Sequence, residues 1–149
     1  MKILSLLFLT IMLGKGGCDA EAQSAKVKEA EAATIEYTAN TRGFFQKITI
    51  VNKAVIVSSD RNGNDKPQAI KLSEADWKFI TAEVAKLKLE NLPTYKAPTE
   101  KRFYDGAAIA NMAITYKGKK YQTADFDHGF PPVEIDKLIN KVVSFGKQL

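Results

Sequence analysis

TIEYTANTRGFFQKITIVNKAVIVS, residues 34–58, decides the fold. Ile35 and Tyr37 alternate with polar neighbours, the period-two pattern of a strand with one buried face. Asn40-Thr41-Arg42-Gly43 breaks that pattern with turn-forming residues. Phe44–Val51 resumes it with β-branched and aromatic side chains, and places Phe44, Ile48 and Ile50 on one face. Asn52-Lys53 interrupts again, and Ala54–Ser58 returns as the second arm of a hairpin. Strands joined by turns this short pair antiparallel, because a parallel partner needs a long crossover.

Past this meander, Asp60–Asp65 is a polar loop. Its acids suggest calcium, but an EF-hand loop needs glycine at its sixth place and glutamate at its twelfth. Gly63 and Lys71 are out of register with that requirement, so the loop reads as a turn built on Asn62-Gly63. Gln68–Leu72 is expected to add a short strand. Ser73 can then cap a helix whose apolar stripe is Trp77, Ile80, Val84 and Leu87. On that stripe Trp77 reads as core rather than as a ligand platform. Ala108–Tyr116 alternates again, Lys117-Gly118 turns it, and Lys119–Asp125 returns. Asp127–Pro132 is expected to be a loop, with Pro132 in the first turn of a last helix. That helix buries Ile135, Leu138, Ile139, Val142 and Phe145 and ends near Gly146. The order β-β-β-(β)-α-β-β-α predicts an α+β two-layer sandwich: one antiparallel sheet with two helices on one face.

Toward the other end, Ile3–Leu13 is a run behind Lys2 that is apolar but for Ser5 and Thr10. It is too short for the roughly 20 residues that span a bilayer and suits a signal peptide. Gly16-Gly17-Cys18 has the small residues and the thiol of a lipoprotein cleavage site, although Lys15 stands where leucine is usual. Residues 1–17 are therefore expected to be a signal peptide and Cys18 the point of lipid attachment. The rival is secretion with a cut after Ala22, in Ala20-Glu21-Ala22; the distance from Leu13 disfavours it. Residues 18–33, rich in Ala, Glu, Lys and Gln with no large apolar face, read as a flexible tether, and residues 34–149 as a single globular domain. Two or three acyl chains on Cys18 would hold the protein at a bilayer almost permanently. The expected address is the bacterial cell envelope; which side of it stays open.

Composition narrows function further. Loss of residues 1–17 would leave two fewer cations than the 22 Lys and Arg of the full chain, against 17 Asp and Glu. A charge this mild, on scattered lysines, argues against nucleic acid as a partner. The one cysteine excludes an internal disulfide, and one histidine makes a zinc site improbable; no metal and no cofactor are expected.

Three loops carry the chemistry that remains. Arg42 lies in the first; Arg102, Tyr104 and Asp105 lie before the strand at Ala108; Asp127 and His128 lie before the last helix. Arginines can bind carboxylate or phosphate, and loop aromatics such as Phe103, Tyr104 and Phe130 can anchor a partner. The bland reading is that the aromatics cover the core edge, that Asp105 pairs with Arg102, and that a neighbouring carboxylate binds His128. Hydrolysis by His128 with nearby Asp residues is the alternative, but no serine sits in a nucleophile-elbow sequence. The weight falls on a membrane-anchored, non-catalytic domain that binds an envelope protein or a small ligand.

Tyr37–Phe45, Tyr104–Ala108 and Phe126–Pro132 together resemble a group of small lipoproteins of Bacteroidota type, a group with no assigned activity. The resemblance covers most of Thr34–Phe145. It implies an exported domain of this shape, supplies no activity, and makes Lys15 easier to accept through looser lipobox usage.

Overall fold

The computed structural model describes residues 18–148. The signal peptide expected over residues 1–17 lies outside these, as does the side chain of Cys18 and hence its lipid attachment.

The meander folds as the alternation requires. β1 (Thr34–Thr41), β2 (Phe44–Val51) and β3 (Ala54–Ser58) pair antiparallel in sequence order, with Ile35 opposite Ile50 and Tyr37 opposite Ile48. The β2–β3 turn holds both Asn52 and Lys53 at positive φ, the geometry that lets a two-residue turn follow strand twist. β5 (Ile109–Tyr116) lies against the other side of β1, with Met112 opposite Tyr37. β4 is only Ile70–Lys71, shorter than the Gln68–Leu72 strand expected, and closes one edge. β6 (Lys119–Gln122) closes the other, giving the order β4-β3-β2-β1-β5-β6.

A seventh strand was not expected. β7 (Phe126–Asp127) also pairs with β5, where a loop was read from Asp127 onward. β6 and β7 are one strand interrupted by a bulge. Gln122 faces Ala113, but Phe126 faces Ala110, so one extra residue has entered the returning strand. Buried Thr123 bridges the gap: its N–H donates to the Met112 carbonyl, and its hydroxyl accepts from the Met112 N–H. The extra residue reverses side-chain parity, turning Phe126 into the core and Asp127 to the opposite face.

One face of the sheet is apolar and covered. Ile35, Tyr37, Ile48, Ile50, Met112 and Ile114 are buried there in one cluster with the helices. The opposite face carries Glu36, which meets Lys47 at 2.8 Å, among threonines. This is the α+β two-layer arrangement, with an antiparallel open sheet.

The helical layer has three α-helices rather than two. α2 (Glu74–Ala85) starts as read: the Ser73 hydroxyl accepts from the Asp76 N–H, and Trp77, Ile80 and Val84 are buried. α3 (Asp136–Gly146) buries Leu138, Ile139, Val142 and Phe145, while Pro132 caps a short 3-10 turn just before it. Among the described residues no helix is long and apolar enough to cross a membrane.

The third helix corrects the reading of residues 18–33 as a flexible tether. α1 (Cys18–Glu31) is helical and packs on α2, with Ala30 buried and Val27 half-buried, and Ala33, just past its end, is buried as well. Ala, Glu, Lys and Gln are strong helix formers, and alanines let two helices approach closely without a wide apolar stripe.

Candidate functional site

Asn40 at the end of β1 faces Ile109 at the start of β5, and Ile109 faces Asp127 on β7. The three loops expected to carry function therefore do converge, at the end of the sheet away from the α1–β1 junction.

Asp127 organises this end. Its carboxylate is fully buried and accepts from the Thr99 hydroxyl, from the Lys101 N–H at 2.7 Å and from the Arg102 N–H at 3.0 Å. Arg102 Nη1 donates to it at 3.1 Å and to the Thr99 carbonyl at 2.9 Å. Burial alone would raise the acid's pKa. The donors from Thr99, Arg102 and Lys101 outweigh that and bring it down to about 2. The partner of Arg102 is thus Asp127, not Asp105. Asp105 is exposed, at a φ of 56° that ends the 3-10 turn Lys101–Tyr104. The Arg102 side chain is only 12% exposed, so its guanidinium is spent on the loop instead of a ligand.

His128 is held by a different group from the carboxylate expected. Its Nδ1 lies 2.7 Å from the hydroxyl of Tyr37, and its ring packs 5.5 Å from that of Phe44. Tyr37 is fully buried, and its hydroxyl has no other partner among the described residues. The hydroxyl and Nδ1 therefore satisfy each other across this one hydrogen bond. Burial, helped by the positive charge of Lys147, lowers the His128 pKa. Burial raises that of Tyr37.

This arrangement matters for hydrolysis. A catalytic histidine donates from Nδ1 to an orienting acid. Here the place of that acid beside Nδ1 is taken by a tyrosine hydroxyl. Asp127 is turned to Thr99 and Arg102, and Asp125 accepts from Asn111. Among the described residues, no three His, Cys, Asp or Glu side chains cluster as a metal site would require.

What the staple leaves outside is aromatic. Phe103 is 72% and Tyr104 71% exposed. The Arg102 guanidinium sits 4.4 Å from the Phe103 ring, and Lys101 Nζ 3.9 Å from that of half-exposed Phe130. A Cβ on Gly106 would meet the Tyr104 ring at 2.8 Å, so only glycine lets the tyrosine lie there. Among the described residues, five of the eight exposed large apolar side chains lie at this end of the sheet: Phe44, Phe103, Tyr104, Ile109 and Phe130. A monomer rarely concentrates apolar surface in this way without use for it. Arg42 is exposed in the β1–β2 turn and makes no ion pair among the described residues.

No family model, curated protein or solved structure matches the chain.

Of the residues singled out in sequence, the fold brings Arg102, Asp127 and His128 into the interior of the loop cluster and leaves Arg42, Tyr104 and Asp105 outside it. Thr99 and Tyr37, the partners that fix Asp127 and His128, carried no local signal as site residues.

Proposed function

We propose that the chain is a membrane-anchored lipoprotein of the bacterial cell envelope whose globular domain binds a partner, without catalysis, through the loop aromatics at the far end of its sheet. The observation that carries the binding reading is the pairing of exposure with rigidity. Phe103 and Tyr104 project into solvent from a turn whose backbone is bonded to a buried carboxylate. Aromatic anchors that are already ordered lose little entropy on binding, which is what makes such residues binding hot spots. The anchor rests on Gly16-Gly17-Cys18 and the apolar run before it.

The geometry gives binding more support than hydrolysis, since the only histidine has a tyrosine hydroxyl at Nδ1 where a triad would have an acid. A photoreactive amino acid placed at Tyr104 in living cells tests the surface. The reading predicts one discrete cross-linked product that disappears when Phe103→Ala is added, and none from the same probe at exposed Lys66. Equal cross-linking from both positions, or none from Tyr104, would contradict it.

A further inference from the structure

We propose that the cavity between α1, the end of α2 and the tips of β5 and β6 is a binding site for a small amphipathic anion, an apolar tail bearing one carboxylate. This site is at the opposite end of the sheet from Phe103 and Tyr104, and depends on neither the aromatic surface nor the lipid anchor.

The cavity exists because small residues meet where helices usually interdigitate. Ala30 from α1 and Ala33 just after it face Val84 and Ala85 from α2, and Leu87 and Leu89 continue the apolar wall. Protein interiors are normally filled to crystal-like density. Here the alanines leave about 280 Å³, close to the lower limit of roughly 300 Å³ for small-molecule sites. Tyr116 and Tyr121 complete the lining, and neither hydroxyl has a hydrogen-bond partner among the described residues. An apolar body can therefore be buried, with two phenolic donors free to meet a polar head.

Charge selects the head. Lys26 and Lys88 line the cavity and form no ion pair among the described residues. Lys117 Nζ stands 5.2 Å from the ring centre of Tyr116, and Lys119 Nζ 4.8 Å from that of Tyr121. The lining itself is balanced, Lys26 and Lys88 against Glu29 and Glu90, and Lys117 and Lys119 on the two tyrosine rings add two cations beside it. The surplus is positive, next to a low-dielectric wall that strengthens its effect. A carboxylate on a short apolar tail complements both halves of the site.

The test titrates the ¹⁵N-labelled full chain with octanoate, and with octanol and octylamine as controls of matched tail. Octanoate is expected to shift the amides of Ala30, Val84, Ala85 and Tyr121 and to bind about fivefold or more tighter than octanol, with octylamine weakest. Filling the cavity with Leu87→Trp should weaken octanoate about tenfold or more, since the tail loses buried area. The double variant Lys26→Gln, Lys88→Gln should reduce octanoate toward the octanol affinity and leave octanol unchanged. Both lysines are exposed, so this variant decides the matter even if Leu87→Trp fails to fold. No shifts at the cavity, equal binding of all three compounds, or preference for octylamine would overturn the proposal.

Discussion

Replacing Asp127 by asparagine should be the most damaging conservative change in the domain. The carboxylate is fully buried and is the shared acceptor for Thr99, the Lys101 and Arg102 N–H groups and the Arg102 guanidinium. Asparagine keeps the shape but offers one acceptor oxygen, and turns an NH₂ toward donors. It also strands a guanidinium whose side chain is 12% exposed. Breaking a buried pair in this way costs about 3–5 kcal/mol, a large part of the roughly 5–15 kcal/mol that holds a domain together. The acid's fall from an ordinary 3.8 to about 2 supplies an independent signature. A lowered carboxylate pKa stabilises the fold above its unfolded value, and that contribution disappears as pH falls through the folded value. For Asp127 it amounts to about 2 kcal/mol, lost between about pH 4 and pH 2. Urea unfolding of wild type and Asp127→Asn from pH 7 to pH 2 measures both effects. The gap between the two proteins should be widest at pH 7 and should narrow by about 2 kcal/mol at the acid end. A gap under about 1 kcal/mol at pH 7, or one that does not change with pH, would refute the staple.

Three further outcomes follow from particular contacts. His128 should titrate by NMR below its ordinary 6.5, so the fold loses stability as pH drops through that range, where the unfolded chain takes up the proton first; a midpoint above 6.5 would deny the burial that depresses it. Thr123→Val removes the oxygen that satisfies the Met112 N–H inside the bulge and should cost about 1–3 kcal/mol in denaturant unfolding, against almost nothing if water replaces it. Ala30→Asp puts a charge where α1 meets α2 and should destabilise by at least about 2 kcal/mol. A solvated tether over residues 18–33 would leave the melting temperature unchanged.

The strands of residues 34–58 were legible because their apolar side chains alternate with little interruption, and α3 because its four buried apolar positions fall on one stripe. What escaped reading was non-local or rested on small side chains. The bulge at Thr123 reverses the parity of the returning strand, so Lys119–Asp125 read as continuous when its pairing stops at Gln122 and resumes at Phe126. No sequence pattern links Asp127 to Thr99, 28 positions earlier, or His128 to Tyr37, 91 positions earlier. Those long-range bonds turn two candidate functional groups into supports. The α1 segment buries Ala30, and Ala33 just after it, in place of leucines, which removes the stripe by which a packed helix is usually recognised. The same alanines leave the cavity beside Tyr116 and Tyr121.

The anchored-domain reading is tested most directly by the intact mass of the protein purified from its native envelope. It predicts a chain that begins at Cys18 and carries the added mass of acyl chains. A free amino terminus at Gln23, or an unmodified chain that still begins at Met1, would contradict it.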